Sequence, residues 1–570
     1  MRKFAAAFMK MGIARNGKPM LNRLNAESTD VRLSQQRVLN DIIAYAANTV
    51  YGQTHKFQSI RTPAEFQSAV PVNQYESLRP YVERHEKGEP NVLFPGKPMF
   101  YATTSGTTAA PKRIPITRKY HDECYNGLSN LWLHTMFIQN PGFMNGYDIS
   151  MVGKAIEGYT PDGTSFGSFS GHMNAYMPEF IKRFRVVPFE VHDIDHYPSK
   201  YYALLRVALM YPIRWIVAAN PSTLLELHRF VMERYDDIVR DIADGTLRSD
   251  LNIDVPIRRA IEQRLSTNKK RAWQLTALQT AFGDALRPKH YWPGLQVINT
   301  WKSGNAGLYL KQTEGFFPDD AVIREFGYLA TEARAGIVLG NNDETSILAA
   351  HLLYFEFVER DEKDSKHQTF LQAHELEAGK EYGIFITTPS GLYRYDMNDI
   401  VRVEGFYNQF PRIRFVQKGT GATSLTGEKL YEAQYLDAMT DTLAKMNLTS
   451  AFHVAFAELE SSSYQSFVEL SPSPPPPKKQ HILDAMSLEL DEQLQKRNPE
   501  YAAKRKSNRL RPPVLHSLQP GAFVKYKSLK LAQGAREGQF KMTHLQQDDA
   551  QLALFRSLCN DAYLVSGGTI

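Results

Sequence analysis

A run of hydroxyl-bearing residues and one glycine stands just ahead of two cations in YATTSGTTAAPKRIPIT, residues 101–117. Such a turn offers backbone N–H and hydroxyl donors at short range, and a nearby lysine adds charge, which together suit the phosphates of a nucleotide. The Gly-x-x-x-x-Gly-Lys-Ser/Thr spacing of a Walker loop is absent, and a polar surface turn is the alternative interpretation. The candidate phosphate ligands are Thr104, Ser105, Gly106, Thr107, Thr108 and Lys112.

Two carboxylates farther along the chain are of the type that completes a nucleotide site. Glu332, in GYLATEARAGIVLG (327–340), could hold Mg²⁺ while phosphate oxygens and waters fill the remaining positions. Asp399, in GLYRYDMNDIVRVEGF (391–406), could accept hydrogen bonds from both hydroxyls of a ribose. Each has an ordinary structural alternative, since a Thr-Glu pair often starts a helix and aspartate is common in turns.

A lysine near the end of the chain is the fourth chemical candidate. Lys541 lies in GAREGQFKMTHL (534–545), next to Phe540 and among glycines. It could reach an active site in a larger domain if two domains close on one another. The alternative is a solvated surface lysine.

The composition favours a globular protein of more than one domain. Of 570 residues, 43% are hydrophobic and 22% charged, and the net charge is +6, which gives little reason to expect nucleic acid as a partner. The two cysteines support neither a disulfide framework nor a cysteine-based zinc site and fit a reducing cytoplasm. No apolar run is long enough to span a bilayer. A basic stretch at 496–513 keeps nucleic-acid binding as a remote alternative.

Up to about residue 415, predicted strands alternate with predicted helices, a pattern typical of an α/β sheet covered by helices. The strands include RWIVAA (214–219), LQVINTW (295–301) and YGIFITT (382–388). The helix beginning at PSTLLELH (221–228) is expected to be capped by Ser222 or Thr223.

The pattern changes beyond that point to a smaller α+β region. A helix to about Lys445 and two strands, FHVAFAELE (452–460) and YQSFVEL (464–470), precede SPSPPPPKK (471–479), which we expect to be an exposed loop. A second helix then follows, with apolar residues four apart on one face: Ile482, Met486, Leu490 and Leu494.

In their order and spacing, these segments resemble the adenylate-forming superfamily and, more narrowly, its Gretchen Hagen acyl acid amido synthetases, also called the auxin-responsive promoter family. The likeness runs almost end to end, from VPVNQYESLRPYVERHEKGEPNVLFPGKPMFYATTSGTT through YWPGLQVINTW, GYLATEARAGI and GLYRYDMNDIVRVEGFYNQFPRIRFVQK to GQFKMTHL. The bacterial branch looks nearer than the plant one. The resemblance implies a large N-terminal α/β domain of the adenylate-forming type (1–417) and a smaller, mobile α+β C-terminal domain (418–570).

The resemblance also implies a role for each motif residue. Thr104–Thr108 with Lys112 match the phosphate loop, Glu332 the Mg²⁺ ligand, Asp399 the ribose ligand, and Lys541 the lysine that swings in for adenylation. Three further residues, Tyr328, Ala330 and Thr331, match the segment along adenine and phosphate. Phe415 matches the strand that leads to the hinge, and Lys418 lies near its pivot. The acid site matches Trp301, Ser303 and Gly304, with Trp132 and Met136 as candidate walls or as plain core.

Two departures from the family pattern concern the loop and the hinge. Ala109 stands where many members have glycine, which limits backbone freedom. At the hinge, VQKGTG (416–421) replaces the more usual Gly-Arg pair, so the arginine contact to the nucleotide is missing there. Neither change removes a group that makes or breaks bonds.

The reaction that the resemblance implies uses ATP and Mg²⁺. A small carboxylic acid attacks the α-phosphate, pyrophosphate leaves, and an amine such as an amino acid then displaces AMP from the acyl adenylate to give an amide. Transfer to coenzyme A, or a noncatalytic member that binds nucleotide or a partner protein, are the alternatives. The sequence gives no indication of oligomeric state.

Overall fold

The computed structural model describes residues 2–104, 111–177, 182, 185–303, 306–363, 365, 367–419, 421–471, 476–532 and 543–559, and within 2–10 the backbone alone. The described residues form two compact units. The larger holds the chain up to Thr104 together with Lys112–Gln417, and the smaller holds the chain from Lys418 onward.

Several helices of the larger unit begin at side chains that accept from free backbone N–H groups. Asp30 accepts from Leu33 N, and Thr62 and Glu65 form a reciprocal capping box. The helices are Arg2–Glu27, Val31–Ala46, Val50–Thr54, Pro63–Ala69, Tyr75–Glu86, Asn126–Gln139, Phe169–Ala175, Tyr197–Ala208, Ser222–Asp244, Val255–Glu262, Lys269–Phe282, Pro288–Tyr291 and Ala306–Lys311.

The expected cap of one of these helices is wrong. The helix Ser222–Asp244 follows Pro221 and has no side-chain cap from Ser222 or Thr223. Instead, the Asn220 side chain accepts from Ser222 N at 2.9 Å. Pro221, the residue just before the helix, has a preset φ that suits a helix start and no N–H to satisfy. The helix therefore begins one residue earlier than we predicted.

A parallel sheet at the centre of the larger unit carries helices on both faces, as the sequence predicts. Its strands, in spatial order, are Tyr147–Ser150, Ile213–Val217, Val297–Thr300 and Val322–Glu325. Ile216 and Ile298 join a core with the helices Tyr197–Ala208 and Ser222–Asp244. On the opposite face, Trp215 and Val217 pack against a second core that includes the helix Asn126–Gln139.

Two further sheets complete the larger unit. A four-stranded sheet contains Phe100–Thr104, Lys112–Ile116, Gly158–Tyr159 and Ser165–Gly167. A seven-stranded sheet contains Gly336–Ile337, Ser346–Leu348, Tyr354–Glu359, Leu371–Gln372, Glu381–Thr387, Tyr395–Tyr407 and Phe410–Lys418. The predicted strand 382–388 is thus confirmed within one residue at each end.

The smaller unit is an α+β arrangement, as predicted. Its strands are Ala422–Thr423, Leu430–Tyr431, Ser450–Glu458, Ser463–Leu470, Val514–Ser517 and Leu545–Gln546, and its helices are Glu432–Lys445, Pro476–Arg497, Pro499–Lys506, Ala522–Ala532 and Asp549–Ser557. The predicted apolar face is confirmed, since Met486, Leu490 and Leu494 are buried. The expected loop 471–479 is wrong at its end, because the helix already begins at Pro476.

No helix in the described ranges is both long and apolar enough to cross a membrane. Cys124 is buried and Cys559 half-buried, and neither forms a disulfide.

Candidate active site

The predicted ribose ligand and the predicted adenine-loop tyrosine meet directly. Tyr328 Oη donates a hydrogen bond to Asp399 Oδ2 at 2.7 Å. Both residues are nearly buried, at 9% and 3% exposure. A carboxylate held this way has a fixed position and keeps acceptor capacity for a ligand.

An irregularity in its strand orients the Asp399 side chain toward Tyr328. Where Tyr395–Tyr407 pairs with Glu381–Thr387, the register shifts between Gly383 and Phe385, so residues 397–399 stand opposite one partner residue. Asn398 takes the left-handed conformation, with φ of 49°, and its N–H donates to Asp396 Oδ1. Bulges of this kind turn a side chain away from the regular alternation of a strand. The interpretation of Asp399 as an ordinary turn residue is therefore wrong.

Glu332 lies in a tight turn rather than at a helix start. Leu329 and Arg334 form an antiparallel bridge, and Ala330 N donates to Ala333 O at 2.9 Å. Ala330 and the neighbouring Thr331 are partly exposed, whereas Glu332 is 7% exposed. The turn thus presents one nearly buried carboxylate.

The acidic groups around Tyr328 keep its hydroxyl protonated. Burial, followed by the charge and hydrogen bond of Asp399 and the charges of Glu332 and Asp396, raises the pKa of Tyr328 well above its usual 10.0. Tyr328 is therefore a permanent donor to Asp399 at physiological pH. The electrostatic effect of Glu332 also shows that its carboxylate lies in the same neighbourhood.

A buried glutamate that the motif analysis missed ties two predicted segments together. Glu325, the last residue of the edge strand Val322–Glu325 of the parallel sheet, accepts from Gly327 N at 2.9 Å and from Lys302 N at 2.6 Å. Burial raises the pKa of Glu325, while these backbone N–H bonds oppose the shift. Trp301 Nε1 donates to Gly327 O at 3.2 Å. The predicted acid-site segment and the adenine loop are thus one assembly.

Some acid-site candidates lie in the Trp301 segment beside the adenine loop, and others lie on a helix. Ser303 is partly exposed next to Lys302, and Gly304 lies outside the described residues. Trp132 and Met136 lie on the helix Asn126–Gln139 and are buried, with the Trp132 ring 5.7 Å from that of Trp215 on the parallel sheet.

The predicted phosphate loop connects two paired strands. Thr104 and Lys112 are opposite residues of an antiparallel pair, both nearly buried. Lys112 Nζ lies 3.4 Å from Tyr395 Oη, in the strand that carries Asp399. Ser105, Gly106, Thr107 and Thr108, with Ala109, lie outside the described residues.

The hinge candidates Phe415 and Lys418 lie on one long strand. Phe415 packs in part against the core of the larger unit, and Lys418 is the last residue of the strand Phe410–Lys418. Lys541 lies outside the described residues. The described structure therefore brings together Tyr328, Glu332, Asp399 and the Trp301 segment.

Magnesium fits this donor set. Within the described ranges, no group of three or more His, Cys, Asp or Glu side chains is arranged to hold a metal. Mg²⁺ bound with a nucleotide commonly uses one or two protein carboxylates and completes its octahedron with phosphate oxygens and waters. Glu332, nearly buried and close to Tyr328, supplies such a carboxylate.

Family models match most of the chain. The GH3 family N-terminal domain matches residues 20–322, the GH3 family central domain residues 346–418, and the GH3 family C-terminal domain residues 433–550. The chain belongs to the GH3 family. This confirms the resemblance to the Gretchen Hagen family.

Similar GH3 proteins match over nearly their whole length. The indole-3-acetic acid-amido synthetase GH3.3 of Arabidopsis thaliana is 23% identical over 540 residues, which cover 90% of this chain and 89% of that protein. The probable indole-3-acetic acid-amido synthetase GH3.4 of Oryza sativa subsp. japonica is 26% identical, covering 89% and 85%. The solved structure of GH3.15 acyl acid amido synthetase in complex with 2,4-DB matches with TM-score 0.64 at 22% identity, covering 96% and 97%. The predicted fold class is thereby confirmed.

Proposed function

We propose that this GH3 chain is an ATP-dependent acyl acid amido synthetase. It activates a small carboxylic acid as an acyl adenylate and transfers the acyl group to an amine such as an amino acid. The observation that carries the proposal is the 2.7 Å hydrogen bond between Tyr328 and Asp399, with the Glu332 carboxylate nearby. Two motifs separated by 71 residues thus converge on one site.

The nucleotide is held, in this proposal, by groups that the chain fixes in advance. Asp399 accepts from the ribose hydroxyls while Tyr328 keeps its carboxylate in place. Ala330 and Thr331 lie along the adenine and the phosphates, and Lys112 with residues 104–108 contacts the phosphates. Phe415 and Lys418 belong to the strand and pivot at the edge of the site.

Two negatively charged reactants must meet in the first step. A carboxylate oxygen of the acid forms a bond to the α-phosphorus, and the bond from that phosphorus to the bridging oxygen of pyrophosphate breaks. Glu332 would hold Mg²⁺, which would neutralise phosphate charge, and Lys541 would supply a second cation to the transition state. In the second step the amine nitrogen bonds to the acyl carbon, AMP leaves, and the nitrogen loses a proton.

The acid lies, in this proposal, against the Trp301 segment, with Ser303 and Gly304 beside it and Trp132 as a wall. The hydrogen bond from Trp301 to Gly327 O holds this segment against the adenine loop, which supports an acid position beside the nucleotide. We further propose that the chain acts in the cytoplasm, where ATP is abundant and its two free cysteines stay reduced, and that it belongs to the bacterial branch.

Acid-dependent exchange of labelled pyrophosphate into ATP tests the first step. We expect exchange with a subset of a carboxylic acid panel, and its loss in Asp399→Ala. Mass detection with pooled amino acids and coenzyme A then identifies the acceptor, and we expect an amide. Absence of exchange with every acid, or a thioester as the sole product, would contradict the proposal.

A further inference from the structure

Two buried arginines face the helix that carries the candidate acid-site walls. Arg324, on the parallel strand Val322–Glu325, donates from Nη2 to Thr135 Oγ1 at 2.8 Å. Arg334, two residues beyond Glu332, donates from Nη1 to Ser129 Oγ at 2.8 Å. Both hydroxyls belong to the helix Asn126–Gln139. The arginines are 0% and 4% exposed.

Aromatic rings lie close to the Arg334 guanidinium group. Arg334 lies 5.6 Å from the centre of the Trp132 ring, and Trp132 lies 5.6 Å from Phe326. Asn299 stands beside Arg324 in register across two parallel strands, so both side chains project from the same face of the sheet. The helix and this face therefore enclose one interface.

Unused hydrogen-bond donors collect at this interface. Arg324 Nε and Nη1, Arg334 Nη2, Trp132 Nε1 and Asn299 Nδ2 are buried and have no hydrogen-bond partner among the described residues. The amide of Asn299 is oriented by Trp215, whose Nε1 donates to Asn299 Oδ1 at 2.6 Å. Every one of these unused groups is a donor. A cluster of donors of this kind is complementary to an anion.

No carboxylate among the described residues balances the charge at this interface, and Arg324 Nη2 donates besides only to the backbone oxygens of Val338 and Leu339. Within the described ranges neither arginine forms an ion pair with a carboxylate, whereas the equally buried Arg394 pairs with Glu356 at 2.9 Å. Burial, together with the nearby Arg334, lowers the pKa of Arg324 to about 10 despite the opposing Asp343. Burial also lowers the pKa of Arg334. Uncompensated buried charges are strongly unfavourable, so a bound anion would relieve both.

We propose that the acid which this chain activates is a dicarboxylic acid, and that Arg324 and Arg334 hold the carboxylate that does not react. This inference rests on the proposed function. Adenylation converts the reacting carboxylate into a mixed anhydride with AMP and removes the charge of that carboxylate. A monocarboxylic acid would leave both guanidinium groups unbalanced, whereas a second carboxylate stays charged throughout both steps.

Matched pairs of acids test this directly. Isophthalate and glutarate are compared with their monomethyl esters, which keep the shape and remove one charge. In pyrophosphate exchange we expect the diacids to exceed the esters about 10- to 100-fold in kcat/KM, the usual effect of a hydrogen bond to a charged group. Arg324→Met and Arg334→Met should abolish this preference, and Arg334→Lys should retain part of it.

A control variant and a second readout separate this inference from the proposed function. Arg206 is equally buried, but its Nε and Nη2 donate to Thr246 O and Asp241 O, so Arg206→Met should leave the diacid-to-ester ratio unchanged. Without ATP, isophthalate should raise the thermal unfolding midpoint of the native chain and not that of Arg334→Met. This shift without any exchange would sustain the inference while refuting the proposed function. Esters that equal diacids in exchange, or no diacid-specific shift, would overturn the inference.

Discussion

Replacing Tyr328 by Phe removes one hydroxyl and with it the 2.7 Å hydrogen bond to Asp399. Both side chains are more than 90% buried, so water does not readily replace the lost donor. A hydrogen bond to a charged group contributes about 1.5–3 kcal/mol, which corresponds to about 10- to 150-fold in affinity. Because Asp399 is the proposed ribose ligand, we expect the KM for ATP to rise within this range.

Pyrophosphate exchange at varied ATP, with the acid saturating, measures this KM. The KM for the acid should change much less, since Tyr328 does not contact it in our proposal. The matched control is Tyr235→Phe, which removes a buried hydroxyl that donates to Leu275 O at 2.8 Å. That control should lower the free energy of unfolding without changing the KM for ATP. An unchanged KM for ATP in Tyr328→Phe would refute the role of the pair.

Three further variants test separate parts of the account. Glu332→Gln should lower kcat about 10²- to 10³-fold and raise the Mg²⁺ concentration needed for half-maximal exchange; an unaltered Mg²⁺ titration would contradict its role. Lys541→Ala should abolish exchange yet still form amide from a synthetic acyl adenylate, and equal loss of both reactions would contradict our assignment. His351 is 0% exposed, and burial, with Arg23 and Arg37 nearby, lowers its pKa from 6.5 to about 3. The buried, neutral His351 ring therefore makes its full contribution to stability above pH 6.5. Below pH 6.5, and down to about pH 3, that contribution to the free energy of unfolding falls by about 1.4 kcal/mol per pH unit. Denaturant titrations should give His351→Leu a shallower acid slope than the native chain, and parallel slopes would be the contrary result.

The regular elements could be predicted because hydrophobic periodicity marks them. The strands at 214–219, 295–301 and 382–388 differ from the observed bounds by one or two residues. Helix starts were harder to predict from the sequence. At one of them, the N–H of Ser222 donates to the side chain of the preceding Asn220. A proline-rich segment was also misleading, because proline, although unfavourable in a helix interior, is well suited to the first position of a helix.

Site geometry depended on features that leave little trace in a single sequence. The bulge that orients Asp399 depends on the left-handed Asn398 and on how its strand pairs with the preceding strand Glu381–Thr387. Glu325 and Arg324 gave one usable signal, which is a pair of charged residues inside the apolar run AVIREF (321–326). Charged side chains are almost never fully buried unless they are paired. Sequence alone could not show that Arg324 lies near Arg334.

The transfer of oxygen from the acid to AMP tests the central claim most directly. The acid is labelled with oxygen-18 in its carboxylate and incubated with ATP, Mg²⁺ and the amine, and the released AMP is analysed by mass spectrometry. Attack of the carboxylate on the α-phosphorus leaves one labelled oxygen on that phosphorus when the amine displaces AMP. We therefore predict AMP that carries one oxygen-18. Unlabelled AMP, or label found in orthophosphate together with ADP, would contradict the adenylate mechanism.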